Sequence, residues 1–400
     1  MMQPGVTMDV VEDARGFLAT YWRSDVDPYE WQRLVVDERW AALRWPEDCL
    51  GRALDDDTAA AVEAEFARVG APGPGQDVYN LWAGTVVAAG TPSMRARFVR
   101  ALLLDEIAMC LLYSEPGAGS DLAGIRTRAV RDGDEWVVDG QKVWTSGARD
   151  ADYGMLIART DWDQPKHRGI SFFFLPMRQP GVEVRPLRQA TGDARFNEVF
   201  LTGARVPEEN RLGDLNAGWG VLQTALAYER IAMGGGRRGP SSRTSGATAQ
   251  AHGSIPSPDT SLVALARAHG KADHPAVRQQ LVRLHEMRTV NEWNARRAAA
   301  AAEAGKASPL ASLGKLAMAR ILHFAGHLSG TILGAEAMLN GDDHPRARDL
   351  NYSHLNAYFF SIGGGTDQIQ MNIIGERILG LPREPETDRT VPFRDVPANA

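Results

Sequence analysis

The spacing of apolar residues changes twice along this chain, and that change limits the folds open to it. Across residues 8–110 apolar residues recur at three and four spacing, which predicts helices. Across residues 125–207 the period falls to two, with strand-like runs at 170–175 and 199–201. Helical spacing returns after Pro207. We therefore predict an α+β multidomain protein in which helices, strands and helices follow one another in blocks.

A chain of 400 residues is longer than one hydrophobic core usually serves, so several domains are expected. We place the boundaries where the apolar period changes. The predicted parts are an N-terminal helical domain over residues 1–110, a middle antiparallel β domain over residues 111–212, a C-terminal helical bundle over residues 213–382 and an extended tail over residues 383–400. Because strands and helices do not alternate, a Rossmann fold is not expected.

Two local patterns refine these domains. Residues 234–261 are rich in Gly, Ser, Thr and Pro, which predicts a mobile low-complexity loop because such a segment buries too little apolar surface to offset its ordering entropy. Its Arg237 and Arg238 could contact a phosphate or form a solvated pair of charges. Within the β domain, the Asp-Gly pair at residues 139–140 stands between two strand-like runs and predicts a hairpin turn.

The charge and cysteine content argue against several classes of protein. With 44 Lys plus Arg against 50 Asp plus Glu, the chain has no basic field that would attract nucleic acid or an anionic membrane. Its two cysteines, Cys49 and Cys110, are too few for a disulfide framework and suit a reducing cytoplasm. We recognise no signal sequence or membrane span, and His323 and His327 share a helical face without a third metal ligand. A cytoplasmic protein without a metal is expected.

The strongest functional signal is the sequence SEPGAGSD at residues 114–121, followed by Trp144, Thr145 and Ser146. Small residues after a proline let backbone N–H groups approach an anionic or electron-rich ligand. The indole of Trp144, beside two hydroxyl groups, would form a platform for an aromatic ring with polar edges. An ordinary turn and a core tryptophan would explain each part separately, but the pair indicates a flavin.

A candidate catalytic acid lies on the helix predicted after residue 216. Leu222, Ala225, Leu226 and Glu229 fall at three, four and seven spacing, so the carboxylate projects from the apolar stripe of the helix. Such a carboxylate would be largely desolvated, which suits a general base that works near neutral pH. The alternative is a buried acid that pairs with an arginine elsewhere in the fold.

A second glycine cluster, residues 363–365, precedes Thr366 and a predicted helix. Glycines at the start of a helix direct free N–H groups and the positive end of the helix dipole toward a ligand. This pattern indicates a cofactor site or a carbonyl-binding site. Neither glycine cluster fits the G-x-G-x-x-G pattern, and the G-x-S-x-G elbow of α/β-hydrolases is missing from the sequence.

Taken together, these motifs resemble those of the acyl-CoA dehydrogenase family of flavoproteins. SEPGAGSD is similar to the family's Thr/Ser-Glu-Pro-x-Ala-Gly-Ser-Asp signature, and GQKVWTS at residues 140–146 is similar to its strand motif. GTDQIQ at residues 365–370 is similar to its C-terminal G-T-x-E/Q-I-Q segment. The resemblance covers residues 95–382 and implies the acyl-CoA dehydrogenase fold: N-terminal helices, a middle β domain and a C-terminal four-helix bundle, with FAD between the last two.

The resemblance also implies roles for individual residues. Ser114 and the backbone around Tyr113 would hold the pyrimidine edge of the flavin. Trp144 would stack near the ring, and Ser146 would approach flavin N5. Ser120 would lie near the pyrophosphate of CoA or FAD. The full set implied for the cofactor is Tyr113, Ser114, Gly119, Ser120, Trp144, Thr145, Ser146, Gly365, Thr366 and Gln368, and the set for the substrate is Ser120, Tyr228 and Arg230.

The position of the catalytic base departs from the commonest family pattern. Most members carry a Glu immediately before the Gly-Thr of the C-terminal motif, where this chain has Gly364. Long-chain and isovaleryl members place their Glu before an Arg on the first helix of the C-terminal domain, and Tyr228-Glu229-Arg230 is similar to that arrangement. The resemblance therefore agrees with the helical pattern on Glu229. Gly364 would offer a backbone N–H to the thioester carbonyl and leave room for a branched or bulky acyl group.

The implied activity is that of an FAD-dependent acyl-CoA dehydrogenase, an oxidoreductase acting on a CH-CH bond. Glu229 would take the α proton of an acyl-CoA or acyl-carrier thioester, and flavin N5 would accept the β hydride. An electron-transferring flavoprotein would then receive the electrons. The expected assembly is a homodimer, a homotetramer or a heteromer with a related subunit. Two alternatives stay open: a non-catalytic or half-site subunit of a heteromeric dehydrogenase, and a flavin monooxygenase or oxidase on the same fold.

Overall fold

The computed structural model describes residues 4–234, 258–303, 310–341, 343–385 and 390–397. These residues form two compact units. The first contains the described residues within 1–187, 194–251 and 386–400, and the second those within 188–193 and 252–385. Most of the predicted mobile loop, including Arg237 and Arg238, lies outside the described residues.

The first unit begins with helices that pack around a cluster of aromatic side chains. Phe17, Trp31 and Phe66 are buried in this cluster. The carboxylate of Asp55 accepts a hydrogen bond of 2.8 Å from the backbone N–H of Thr58, which fixes the start of the helix that begins at Asp56. The helices are α1 (Pro4–Tyr21), α2 (Pro28–Asp37), α3 (Asp56–Arg68), α4 (Gln76–Tyr79), α5 (Leu81–Ala89) and α6 (Pro92–Leu103).

The β domain that follows is, within the described residues, one sheet of eight strands. The strands are β1 (Met109–Leu112), β2 (Arg128–Asp132), β3 (Glu135–Ser146), β4 (Tyr153–Arg159), β5 (Ile170–Pro176), β6 (Val182–Leu187), β7 (Phe196–Pro207) and β8 (Arg211–Leu212). Their spatial order is β6-β7-β3-β2-β4-β5-β8, and β1 pairs in parallel with β4. The long pairs β3–β7, β4–β5 and β6–β7 are antiparallel.

Strand β5 joins the two apolar cores of the first unit. Phe172 and Phe174 belong to the core shared with the N-terminal helices, whereas Phe173 and Leu175 belong to the core of the β domain. All four side chains are fully buried. Because successive side chains of a strand point to opposite faces, a strand covered on both faces is apolar along its whole length. The near-continuous apolar run in the sequence has this cause.

Helix α7 (Gly218–Gly234) also belongs to the first unit. It contacts α4, α5 and β5, and its Leu222 and Ala225 are buried in the core of the N-terminal helices. The predicted boundary at residue 213 grouped this helix with the later helices, whereas its packing attaches it to the N-terminal helices and the sheet.

The described residues of the second unit are largely helical. Leu262, Leu284, Leu328 and Ile332 form its buried core. The helices are α8 (Pro258–Ala268), α9 (Pro275–Glu303), α10 (Leu310–Leu333), α11 (Pro345–Ile362) and α12 (Asp367–Ile373). The predicted fold class, with N-terminal helices, a middle β domain and a C-terminal helical region, is confirmed. Among the described helices we find none with the length and apolar character needed to cross a membrane.

The predicted hairpin turn at residues 139–140 is wrong. Strand β3 continues through these residues, and the turn that precedes it lies at residues 133–134. The register between β3 and β7 shifts between Val138 and Gly140, as expected of a bulge. A Cβ atom at Gly140 would lie 2.8 Å from the Cα of Thr127. The Asp-Gly pair therefore marks a close approach of two backbones, which is another use of glycine within a strand.

We predict that Gly140→Ala lowers the free energy of unfolding by about 1–3 kcal/mol, because the backbone of Thr127 cannot move away as a flexible side chain could. Chemical denaturation measures this change. The matched control is Gly16→Ala on an exposed position of α1, where a Cβ would meet no described atom within 4 Å. The control should be neutral or stabilising by up to about 1 kcal/mol. Equal stability of Gly140→Ala and the parent chain would contradict the close approach.

Candidate functional site

The predicted flavin loop is a tight turn that follows strand β1. Tyr113 is buried at the end of the strand. Glu115 and Ala118 then exchange two backbone hydrogen bonds of 2.9 and 3.0 Å. The turn leaves Gly119 and Ser120 exposed, and a Cβ at Gly119 would meet no described atom within 4 Å. The loop therefore presents small residues with open space in front of them, as a ligand-binding loop requires.

A buried ion pair attaches this loop to strand β3. The side chain of Lys142 is fully buried, and its Nζ donates to Glu115 Oε1 at 2.8 Å. The same ammonium donates to the carbonyl of Tyr113 at 3.1 Å and to a carbonyl of β4 at 2.9 Å. The next residue, Val143, donates its backbone N–H to the carbonyl of Ser114 at 2.9 Å. Because a buried charge is costly unless its partners are held in place, these contacts fix the loop against the sheet.

The carboxylate of Glu115 also accepts hydrogen bonds from two backbone N–H groups. Its Oε2 accepts from the backbone N–H of Arg126 at 2.6 Å, and its Oε1 accepts from that of Thr127 at 2.9 Å. Burial alone would raise the pKa of Glu115, but the Lys142 ammonium and these hydrogen bonds hold the pKa below its ordinary value. Burial lowers the pKa of Lys142, and Glu115 opposes that shift. Both side chains are therefore charged, and their ion pair holds the loop in place.

Trp144 lies on a second irregularity of β3 and points away from the core. The register against β7 shifts between Lys142 and Thr145, and Trp144 has a φ of +61°. That region of backbone space is unfavourable for any residue with a Cβ. The indole is 58% exposed and touches Phe196 edge-on at 5.9 Å. Trp144 is thus no core residue, and a strained residue that exposes a large ring is typical of a functional site.

The two hydroxyl residues after Trp144 differ in their surroundings. Thr145 is fully buried, and its Oγ1 has no hydrogen-bond partner among the described residues. Ser146 is half-buried at the end of β3. A buried hydroxyl without a partner costs about 1–3 kcal/mol. The exposed indole fits a cofactor that has an aromatic ring, as a flavin has, and the half-buried Ser146 is the hydroxyl of this pair that a ligand could reach.

Glu229 is half-buried on helix α7, in the same unit as the flavin loop. Burial raises the pKa of the Tyr113 phenol well above its ordinary value, and the charge of Glu229 raises it further. The charge of Glu229 therefore acts on the residue that begins the loop. The Tyr113 hydroxyl also contacts the sulfur of Met155 at 3.5 Å. The structure thus brings together two residues that the sequence separates widely.

The neighbours of Glu229 have different surroundings. The ring of Tyr228 lies against helix α5, where a Cβ at Gly84 would come within 2.8 Å of the ring carbon Cε1. Burial raises the pKa of the Tyr228 phenol, and a hydrogen bond with Trp45 opposes the shift. Tyr228 is therefore packed among the N-terminal helices. The side chain of Arg230, the other predicted substrate residue, lies outside the described part of the chain.

The C-terminal glycine cluster belongs to the second unit. Gly364 and Gly365 have φ values of +64° and +91°, a backbone region that favours glycine. The hydroxyl of Thr366 caps α12 by accepting a hydrogen bond of 3.1 Å from the backbone N–H three residues on. The side-chain amide of Gln370 donates to the carbonyl of Gly364 at 3.2 Å, and its buried Oε1 has no partner among the described residues. Gln368 is exposed.

The predicted site residues therefore divide between the two units. Sequence reasoning did not single out the ion pair of Glu115 and Lys142 or the amide of Gln370, although all three lie within the quoted motifs. The available signal was a lysine on a predicted strand, directly before the apolar Val143 and Trp144, because a buried lysine needs an acidic partner. The first unit holds Tyr113, Ser114, Gly119, Ser120, Trp144, Thr145, Ser146, Tyr228 and Glu229, and the second holds Gly364, Gly365, Thr366 and Gln368.

Comparison with known proteins points to one family. Residues 110–203 match the family model for the acyl-CoA dehydrogenase middle domain, and residues 216–379 match that for the C-terminal domain. Acyl-CoA dehydrogenase IpdE1 of Mycobacterium tuberculosis is 35% identical over 366 residues, which cover 88% of this chain and 88% of that protein. Acyl-CoA dehydrogenase FadE34 of the same organism is 37% identical over 356 residues. That match covers 88% of this chain but 46% of FadE34, so the chain spans less than half of this relative's length.

Solved structures give the same result over nearly the whole chain. The structure described as the Tcur3481-Tcur3483 steroid ACAD superposes with a TM-score of 0.69 at 25% identity, and the match covers 96% of this chain and 99% of that one. The ChsE4-ChsE5 complex from Mycobacterium tuberculosis superposes with a TM-score of 0.66 at 28% identity, over 96% and 99% of the two chains.

The left-handed backbone of Trp144 predicts an unusual order of stability. We expect the Trp144→Gly chain to be more stable than the Trp144→Ala chain by about 1 kcal/mol, because both lack the indole and only alanine places a Cβ in the unfavourable region. Chemical denaturation without added flavin measures the difference. The matched control is the pair Gln141→Gly and Gln141→Ala on the same strand, where alanine should be the more stable by about 0.5–1 kcal/mol. An advantage for alanine at position 144 would contradict the strain.

Proposed function

The chain belongs to the acyl-CoA dehydrogenase family, and from that premise we propose that it catalyses the α,β-dehydrogenation of an acyl thioester. Family membership assigns it to the FAD-dependent oxidoreductases. The observation that carries the proposal is the half-buried position of Glu229 on helix α7, in the same compact unit as the flavin loop. A carboxylate beside a cofactor loop is what a reaction that removes a proton and a hydride from one substrate requires.

In this proposal FAD is held by the residues that the family motifs supply. Ser114 and the backbone of Tyr113 bind the polar edge of the ring, and Trp144 stacks near it. The exposed, left-handed Trp144 supports this assignment. When bound, FAD supplies the acceptor for the hydride. The further residues assigned to FAD are Gly119, Ser120, Ser146, Gly365, Thr366 and Gln368.

Glu229 is the proposed catalytic base and takes the α proton of the acyl group. Gly364 donates its backbone N–H to the thioester carbonyl, which makes the α proton more acidic by stabilising the negative charge that develops on oxygen. The φ of +64° at Gly364 supports this division of roles. A glutamate at that position would adopt such a backbone only at a cost of about 1–2 kcal/mol. Tyr228 and Arg230 flank Glu229 and are assigned to substrate binding.

We predict that Glu229→Gln keeps FAD bound but slows its reduction by an acyl-CoA about 10²–10⁴-fold, because the amide cannot accept the α proton. Stopped-flow absorbance under anaerobic conditions measures the rate, and the visible spectrum reports the bound flavin. The matched control is Thr224→Val on the same helix, where the threonine hydroxyl donates to the carbonyl of Gly220 one turn earlier at 3.3 Å. The control should react at the parent rate. A Glu229→Gln chain that holds FAD and reduces it at that rate would show that the base lies elsewhere.

The proposed substrate is a thioester with a ring-bearing or branched acyl group. A solved relative at 25% identity is described as a steroid ACAD. Gly364 supports the same class, because it has no side chain at the position where most family members carry an acid. CoA is the proposed carrier, and an acyl carrier protein is the alternative carrier of the same acyl group.

We predict that ring-bearing thioesters reduce the bound flavin at least about tenfold faster than straight-chain ones at equal, limiting concentration, because pocket shape discriminates substrates by contacts of about 1–3 kcal/mol. The panel consists of octanoyl-CoA, palmitoyl-CoA, cyclohexanecarbonyl-CoA and a steroid side-chain CoA thioester, tested anaerobically. Equal rates for palmitoyl-CoA and the ring-bearing compounds would refute the substrate class but leave dehydrogenation standing.

A second candidate function is that of a half-site subunit in a heteromeric dehydrogenase. The chain spans 46% of FadE34, and two structural relatives are described by paired names. A related subunit would then complete the FAD site. Purification distinguishes the candidates: a chain that is yellow alone is a complete site, whereas a chain that binds FAD only when mixed with a related subunit is a half-site.

Two further parts of the proposal concern the cell. An electron-transferring flavoprotein is the proposed electron acceptor, since the family relationship favours dehydrogenation over the oxidase and monooxygenase alternatives. The cytoplasm is the proposed location. Cys49 and Cys110 are both buried and are not joined in a disulfide, which agrees with a reducing compartment.

A further inference from the structure

The last described segment, residues 390–397, folds back onto the β domain within the first unit. The backbone N–H of Phe393 donates to the carbonyl of Gln164 at 2.9 Å, and that of Arg394 donates to the carbonyl of Trp162 at 3.0 Å. The side chain of Phe393 is fully buried. The sequence predicted an extended tail from residue 383 onward and assigned no role to this phenylalanine.

Phe393 is buried between cationic and aromatic groups. The guanidinium carbon of Arg159 lies 3.7 Å from the centroid of the Phe393 ring, and that of Arg126 lies 5.1 Å away. The ring of Trp162 packs beside it with centroids 5.4 Å apart. A cation held over an aromatic face is attracted by the ring quadrupole, and the attraction is stronger when water is excluded. The ring therefore covers two arginines at once.

Arg159 is fully buried, so its guanidinium needs hydrogen-bond partners within the protein. Its guanidinium donates to the carbonyls of Lys166 and Arg168 at 2.9 Å and to the carbonyl of Ala123 at 2.7 Å. Burial lowers the pKa of Arg159 to about 10. A buried cation has lost its water, and the attraction between the guanidinium and the face of the Phe393 ring offsets part of that loss.

Arg126 links the tail to the flavin loop in one residue. Its Nη2 donates to the carbonyl of Val396 at 2.8 Å, and its backbone N–H donates to Glu115 Oε2 at 2.6 Å. Glu115 belongs to the loop and pairs with Lys142. Arg159 holds the same stretch of chain through Ala123, and the charge of Glu115 is the strongest influence opposing the lowered pKa of Arg159. Residues 123–126 therefore form contacts with the tail and with the flavin loop.

We propose that residues 390–397 are a positioning element of the cofactor site: the docked Phe393 holds residues 123–126, and Arg126 thereby orients the Glu115 carboxylate that shapes the loop at residues 114–121. The inference rests on the proposed function in naming FAD as the ligand of that loop. The tail acts through Arg126 and Glu115.

The test compares Phe393→Ala with Arg394→Ala in the full chain. Arg394 lies on the same segment and forms an exposed ion pair with Asp163, so its loss leaves the buried ring in place. We expect Phe393→Ala to raise the FAD dissociation constant at least about tenfold and to speed amide hydrogen exchange at residues 114–127 by a similar factor, since local opening follows the loss of buried contacts. Arg394→Ala should stay within about twofold of the parent chain on both measurements.

Hydrogen exchange is measured without FAD, which separates this inference from the proposed function. A parent chain that binds no FAD would overturn the cofactor, while exchange at residues 114–127 would still decide the role of the tail. The proposal is wrong if Phe393→Ala speeds exchange at residues 390–397 but leaves exchange at residues 114–127 at the parent rate. If Phe393→Ala does not fold, Phe393→Leu gives the same test, because it keeps a buried apolar side chain but has no ring to cover the guanidinium groups.

Discussion

The buried pair of Lys142 and Glu115 is the interaction on which the site depends. Each charge would cost several kcal/mol if it were removed from water without partners. The ammonium has three acceptors within 3.1 Å, and the carboxylate has two backbone donors besides the ammonium. These partners come from the loop, from two strands and from the stretch around Arg126. Satisfying one ion pair therefore fixes several segments of the chain relative to one another, and the shape of the flavin loop follows from that requirement.

A structural feature could be predicted from the sequence when the interaction that causes it involves neighbouring residues. The apolar run of β5 was legible because its cause, burial on both faces, acts on every residue of the strand. The Asp-Gly pair at residues 139–140 was misleading because its cause is the backbone of Thr127, which lies close in space but not in sequence. The left-handed φ of Trp144 has no local signal, since tryptophan is not a residue that favours that region.

The same distinction applies to the candidate chemistry. Glu229 could be found from the spacing of its own helix, but its proximity to Tyr113 arises from the packing of α7 on the N-terminal helices and β5. Phe393 stands in a proline-rich, charged stretch, a composition typical of surface tails. Its burial is explained by contacts with Arg126, Arg159 and Trp162, which lie far from it in the sequence. Contacts of this kind join distant segments, and single-sequence patterns do not contain them.

The site also retains unfavourable features that the fold does not remove. Trp144 keeps a strained backbone, and Thr145 keeps a buried hydroxyl without a partner among the described residues. Such features persist at functional sites because the surrounding core is stable enough to tolerate them. A ligand that stacks on the exposed indole of Trp144 would recover part of the cost of its strained backbone only when bound. Ligand binding to the native state alone adds about 2.7 kcal/mol of stability at a hundred times the dissociation constant, so cofactor binding and folding stability are coupled through Trp144.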